Sequence, residues 1–246
     1  MNVRCPNVAM NRSEKAALQL RAVDVLRTLK ETRTYEELAA ETGLPAGDLN
    51  RYVNGHVLPS EPRARALVED AGAELLASEL DARIAVDGEG YVDNSRVVFD
   101  QSLLSLVPPV AVETLGIEPP DAVLTAATDG ITLAAAMSRH FGSRCAYAKK
   151  SRETAVEEFI DARKLLASGI EIDYYLPANA VDAGESVLVV DDLIRSGETQ
   201  ELLLDITRSA GAEVAGVFAL IAVGDEGIER ACDHTDAPVD ALLRRE

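Results

Sequence analysis

The chain has 246 residues, 47% of them hydrophobic and 27% charged, enough for one α/β core plus a small appended module and too apolar for a disordered chain. No apolar run approaches the roughly 20 residues of a membrane helix and no signal-peptide pattern opens the chain, so a soluble, cytoplasmic protein is expected. Cys5, Cys145 and Cys232 are odd in number and widely spaced, which speaks against both a disulfide framework and a zinc site.

The formal net charge is −18, with five lysines and nineteen arginines against 42 acids. Such a balance resembles the acidic surfaces of halophilic proteins, for which the Debye length shrinks to about 3 Å or less and net charge says little about partners. Its distribution says more. Residues 12–70 carry nine basic and ten acidic side chains, net −1, whereas residues 71–246 carry fourteen and thirty-two, net −18.

The segment spared this acidity opens with Ser13–Lys30, where Leu18, Val23, Val25, Leu26 and Leu29 mark an amphipathic helix with Ser13 as its expected N-cap. Met10 sits just before it and residues 1–9 carry no structural signal, so initiation at Met1 and at Met10 both stay open. Thr34 with Glu37 three residues later forms a capping box for the next helix, which Gly43 stops. Pro45 suits the first turn of a third helix ending near Gly55. Two short helices joined by Gly43-Leu44-Pro45 read as a helix-turn-helix.

The whole segment resembles the Cro/C1 type of DNA-binding domain, including Leu49, Tyr52 and Gly55 with the later Pro59. That resemblance implies a recognition helix over Ala46–Asn54 and double-stranded DNA as a partner. Leu49 with Tyr52 or Val53 would face the core, while Gly47, Asp48, Asn50, Arg51 and Asn54 face outward. Asn50, Arg51 and Asn54 have the chemistry to read base edges or phosphates, and Asp48 favours the positive end of its own helix. A further helix is expected over Arg63–Leu80, and a β-hairpin or short hood over Ile84–Asp100 with a Gly88-Glu89-Gly90 turn. The boundary between domains is placed at about residue 72, giving 12–72 and 73–246.

Farther along, Ser151–Gly169 holds Arg152, Arg163 and Lys164 among Glu153, Glu157, Glu158 and Asp161, and reads as a solvated helix. Val187–Val190 is a continuous apolar run suited to a central parallel strand buried on both faces. Asp191 and Asp192 then fall at its carboxyl end, where open α/β sheets bind ligands. Paired carboxylates there can accept from two sugar hydroxyls or hold Mg²⁺ through one oxygen each and several waters. Ser196, Gly197, Glu198 and Thr199 lead into a helix over Gln200–Ala210, and backbone N–H groups at such a helix start form an anion site. A diol reader beside a phosphate cradle points to a ribose phosphate.

Residues 187–199 resemble the phosphoribosyl-pyrophosphate (PRPP) motif of the type I phosphoribosyltransferase family, in particular its adenine-type transferases and purine-operon repressors. Residues 121–134 are similar to the family's pyrophosphate-loop strand and following helix, 146–150 to the strand that ends in a basic residue before the mobile loop, and 170–175 to the strand leading out of that loop. The resemblance implies an α/β fold with a parallel sheet and PRPP or phosphate contacts from Ala127, Thr128, Asp129, Gly130, Lys149, Lys150, Asp191, Asp192, Arg195, Ser196, Gly197, Glu198 and Thr199. In a working transferase Asp191 and Asp192 would serve catalysis together with Mg²⁺.

Three positions depart from the family pattern. Asp129 stands where catalytic members usually place Arg or Lys, Glu198 where Gly or Lys usually flanks the 5′-phosphate, and Arg195 where a small or acidic residue is usual. A carboxylate about 4 Å from a phosphate charge costs about 1 kcal/mol in bulk water and about 4 kcal/mol at an effective dielectric of 20. Arg195 could recover part of that as a phosphate ligand. His56, His140 and His234 form no site, and Phe141, Tyr147, Tyr174 and Tyr175 suit core packing better than base stacking. The expectation is a homodimeric DNA-binding regulator that senses PRPP or a purine nucleotide. The alternative is an active adenine-type transferase that makes a nucleoside monophosphate and pyrophosphate.

Overall fold

A computed structural model describes residues 11–69, 73–88, 91–165, 169 and 171–246, and the chain divides into two compact units, Met1–Leu75 and Leu76–Glu246. The expected boundary near residue 72, together with Cys5, Met10, Glu89, Gly90 and Ile170, lies outside the described residues.

The first unit is helical. Helix α1 (Arg12–Lys30) is capped by Asn11 and not by Ser13: the Asn11 side chain accepts from the amides of Ser13 and Glu14, and the Glu14 carboxylate accepts from the Asn11 amide at 2.8 Å. Asn is among the best N-caps, and an acid three residues on closes the reciprocal pair. Helix α2 (Tyr35–Thr42) is held by the Thr34–Glu37 capping box and ends at Gly43, whose φ of 68° is the left-handed conformation that favours glycine. Pro45, with φ −59° and ψ 136°, is the N-cap of α3 (Ala46–Val53) and precedes its first turn; Asn54 is the C-cap and not a helical residue. Helix α4 (Glu61–Glu69) packs on α1. Leu26, Leu38 and Leu49 are fully buried, as is nearly all of Tyr52, whose hydroxyl accepts from Arg63 at 2.7 Å.

The expected helix Arg63–Leu80 is described as two, α4 and α5 (Ala73–Asp81), with residues 70–72 outside the description. The hairpin is shorter than expected: β1 (Ala85–Val86) pairs antiparallel with β2 (Val92–Asp93), and the chain then turns helical in α6 (Ser95–Val98), α7 (Gln101–Leu104) and α8 (Val107–Leu115). Polar side chains make that change, because Asp93 accepts from the Ser95 amide and Asp100 from the Leu103 amide, each starting a helical turn.

The remaining elements are β3 (Ala122–Ala126), α9 (Gly130–Phe141), β4 (Arg144–Ala148), β5 (Phe159–Leu165), β6 (Glu171–Pro177), β7 (Ser186–Ile194), α10 (Glu198–Ser209), β8 (Glu213–Val223), α11 (Glu226–His234) and β9 (Val239–Arg245). Strands β4-β3-β7-β8-β9 form a parallel sheet in that order. Val187–Val190 are completely buried, and both alternating sets along the central strands β3, β7 and β8 are covered, as a two-faced α/β sheet requires.

Among the described residues of Ser151–Gly169 the expected helix does not occur. Residues 159–165 form β5, paired antiparallel with β6. Ile160, Ala162 and Lys164 are turned inward while Asp161, Arg163 and Leu165 are exposed, a period of two. Arg163 lies opposite Asp173 and donates to it at 2.5 Å. The charges that read as a helix surface are a cross-strand pairing pattern, whose partner lies across the loop. No helix among the described residues is long and apolar enough to cross a membrane.

One buried ion pair locks the segment before the sheet. Arg83 donates to the Glu79 carboxylate at 2.6 Å and to the Glu79 carbonyl at 2.8 Å, with both side chains almost fully buried. Arg83→Met strips the cation from a buried carboxylate and is expected to cost about 3–5 kcal/mol, measured by denaturant unfolding of the full chain.

Candidate ligand site

The sheet order places the site. From β3 the chain passes through α9 to β4 on one side, and from β7 it passes through α10 to β8 on the other. The carboxyl ends of β3 and β7 therefore flank the point where strand order reverses, the place where open α/β sheets leave a crevice for ligands. Two loops meet there: Ala127–Asp129 ahead of α9, and Arg195–Gly197 ahead of α10.

Strand β7 does not stop at Val190 as expected. It continues past the two acids, pairing Leu193 with Ile221 and Ile194 with Ala222 of β8, whereas its pairing with β3 ends at Val189. Asp191 and Asp192 thus sit on a stretch supported from one side only. Asp191 is 8% exposed. Its Oδ2 accepts from Gln200 Nε2 at 2.6 Å and its Oδ1 from the Asp192 amide at 3.1 Å. Burial first, and the neighbouring Asp192 carboxylate second, push its carboxyl well above the usual carboxylate range. Asp192 is half-buried, and its Oδ2 accepts from Asn94 Nδ2 at 2.6 Å.

Gly130 seats the first loop against the buried acid. A Cβ there would lie 2.2 Å from Thr125 Oγ1 and 3.0 Å from Asp191 Oδ1, so the start of α9 packs directly on the acid. The Ala127–Thr128 peptide is cis. Thr128 and Asp129 are exposed, and Asp129 precedes α9 without bonding any of its amides.

In the other loop Gly197 has φ 74°, and a Cβ would meet the Gly227 carbonyl at 2.6 Å, which fixes the backbone against α11. Ser196 Oγ donates to Glu198 Oε2 at 3.1 Å, and Glu198 Oε1 lies 3.9 Å from Arg230 Nη1. Thr199 is hydrogen-bonded to the phenol of Tyr174, which burial raises above its ordinary pKa. The guanidinium of Arg195, itself an exposed residue, lies 5.4 Å from the Tyr91 ring centroid.

The two lysines diverge. Lys149 pairs with Glu153, while Lys150 lies 6.0 Å from the ring of buried Tyr174. Sequence reasoning missed Asn94, Gln200, Thr125 and Tyr91. Gln200 has a legible place, in the first turn of a helix that starts beside the acids. Asn94 is 98 positions from Asp192, and nothing in one sequence joins them. In the first unit Asn50, Arg51 and Asn54 are all exposed on or beside α3, with the Asn54 side chain donating to the Asn50 carbonyl at 2.8 Å.

Against known proteins, the model of the phosphoribosyl transferase domain matches residues 112–236, half of the chain, including both loops and the two acids. The chain belongs to this phosphoribosyltransferase family. An adenine phosphoribosyltransferase of Streptomyces coelicolor is 43% identical over 68 residues, 27% of this chain and 37% of the relative, so the match spans little more than a third of that enzyme. A probable purine biosynthesis transcriptional regulator PurR of Streptococcus pneumoniae is 25% identical over 177 residues, 71% of this chain and 62% of the relative. The crystal structure of the adenine phosphoribosyltransferase of Thermoanaerobacter pseudethanolicus superposes with a TM-score of 0.61 over 68% of this chain and 99% of that one, at 18% identity, which establishes the fold.

The buried acid carries a pH signature. Its ordinary value is 3.8 and its folded value is higher, so between the two the folded chain holds more protons than the unfolded one. Stability then falls as pH rises through that window and stays reduced above it. Asp191→Asn is expected to raise Tm at pH 7 and to flatten this fall, as measured by thermal unfolding across pH.

Proposed function

We propose that this protein is a DNA-binding transcriptional regulator of purine or nucleotide metabolism that senses PRPP or a purine nucleotide through its phosphoribosyltransferase domain. The carrying observation is that this domain shares a chain with a unit in which α2, a left-handed Gly43 and α3 bury Leu49 and Tyr52 and expose Asn50, Arg51 and Asn54. The helix-turn-helix reading makes α3 the recognition helix, with Asn50, Arg51 and Asn54 on base edges or phosphates. The near-neutral charge of residues 12–70 beside a strongly acidic remainder supports it. Dimerisation through the larger unit would present two recognition helices, as a palindromic operator needs.

In the crevice, Asp192 and Asp191 would hold the ribose hydroxyls, Ala127–Gly130 the pyrophosphate, and Ser196–Thr199 the 5′-phosphate. No cluster of three or more His, Cys, Asp or Glu able to hold a metal occurs among the described residues. Two carboxylates suit Mg²⁺ that arrives with PRPP and keeps its waters, and do not suit a resident ion. Asp129 and Glu198 set negative charge beside both phosphate positions, which favours reversible sensing over stabilising a pyrophosphate leaving group.

A second reading, an adenine-type transferase, is supported by the retained Asp191–Asp192 pair and by the likeness to the Streptomyces enzyme. Pyrophosphate release on incubation with Mg²⁺, PRPP and each base would establish it.

The test of the regulator is an operator-binding assay in high-salt buffer on DNA upstream of purine and nucleotide genes, with and without PRPP. Sequence-specific binding that PRPP or AMP alters is expected, and its absence on all such DNA would sink the proposal. Arg51→Ala is expected to weaken operator binding by about 1–3 kcal/mol if it reads a base, and to lower the salt dependence by about one ion if it holds a phosphate.

A further inference from the structure

We infer that Glu198 is a specificity-determining residue of the 196–199 loop, a carboxylate that competes with a phosphate for the loop and makes affinity for phosphorylated ligands depend on ionic strength. The inference rests on the reading above, in which this loop takes the 5′-phosphate.

Glu198 is the first residue of the twelve-residue helix α10, and its carboxylate turns back onto the loop instead of outward. Oε2 accepts the hydroxyl of Ser196, directly before the Gly197 cap, at 3.1 Å. The carboxylate thus takes the donor that a phosphate oxygen would require, and it brings negative charge to the helix end that favours an anion. The loop backbone packs closely on α11, since a Cβ added at Gly197 would lie 2.6 Å from the Gly227 carbonyl.

A phosphate must therefore either accept a carboxylate as neighbour or turn it away. Arg230 lies 3.9 Å from Glu198 Oε1, and it is already shared with Glu226 at 2.9 Å and Glu201 at 3.9 Å. Lys164 and His234 on the same side also face Glu201. Two other carboxylates, Glu201 and Glu226, already draw on these cations, so a displaced Glu198 shares the positive charge there with both. What relieves the repulsion is salt. Glu198 is a partly exposed side chain, and raising ionic strength from about 0.1 M to about 1 M shortens the Debye length from about 10 Å to about 3 Å, which weakens repulsion between partly exposed anions.

The experiment compares the full-length wild-type chain with Glu198→Gln by titration calorimetry, using PRPP with Mg²⁺, AMP, and adenosine as the ligand without phosphate, at about 0.1 M and about 1 M KCl. Glu198→Gln is expected to bind PRPP and AMP about tenfold more tightly or better at low salt, to bind adenosine as the wild type does, and to lose most of its advantage at high salt. Glu198→Gly, the loop residue usual in the family, is expected to give the same gain should the Gln variant fold poorly. A gain shared by adenosine, a gain that salt does not diminish, or no gain where the wild type binds PRPP or AMP would overturn the inference alone. Binding of PRPP and AMP by none of the three proteins would overturn the sensor reading with it.

Discussion

The ligand crevice depends on one constraint, the burial of a carboxyl group at a place where the sheet lets go of its own strand. Asp191 lies on β7 beyond the last residue paired with β3, yet it is still held by β8 and is almost wholly out of water. A buried carboxyl needs hydrogen bonds to remain there, and they come from α10 through Gln200 and from the next amide of its own strand. The demand reaches the opposite loop as well. Gly130 lacks the Cβ that would strike Thr125 and crowd Asp191, so α9 can begin against the acid and bring Ala127–Asp129 with it. The acid, the glycine and the first turn of α10 form one packing unit, and the two ligand loops are placed by it.

The two acids then divide their work by environment. Asp191 has both oxygens engaged within the protein and a proton affinity raised by burial, which makes it a structural member of the crevice first. Asp192 is more open and accepts from Asn94, 98 positions earlier in the chain. A hydroxyl donating to Asp192 Oδ2 competes with that amide, which directly follows strand β2 of the hairpin. Tyr91, on the same hairpin, lies over Arg195. Any ligand group at the acids or at the loop after them would therefore meet the same short hairpin, through a hydrogen bond at one point and a cation–π contact at another.

Much of this was legible in the residues themselves. The fully apolar Val187–Val190 run, the acids after it and the hydroxyl-glycine loop each name their local structure, and the capping box at Thr34 and Glu37 and the stop at Gly43 appear as read. What failed failed for reasons of range. Strand β5 looks helical because its charges are matched to Asp173 and Glu201, one across a loop and one on another element, and a single segment does not display that pairing. Asn11 displaced Ser13 as a cap because two good candidates stood close together and only one had an acid three residues on with which to reciprocate. Asn94, Thr125 and Tyr91 belong to the crevice through tertiary placement, which periodicity and spacing do not encode.

The acidity of the chain bears on the crevice in a way that composition alone leaves ambiguous. Carboxylates spread over a surface keep a protein hydrated and repel nothing in particular, but Asp129 and Glu198 are at the two loops where a phosphoribosyl ligand would carry its charge. Their side chains differ in what they do there. Asp129 is exposed and bonds none of the amides of α9, so it can face solvent while the backbone remains available. Glu198 is partly buried and bonded to the loop hydroxyl, and turning it away costs a hydrogen bond of about 1.5–3 kcal/mol, the range for a bond to a charged group. A transferase would face that cost in every turnover at the step that seats its substrate. A sensor has only to bind in proportion to concentration, and a weaker site moves its response toward higher ligand levels. The same carboxylate is thus a defect in one reading and an adjustment of range in the other.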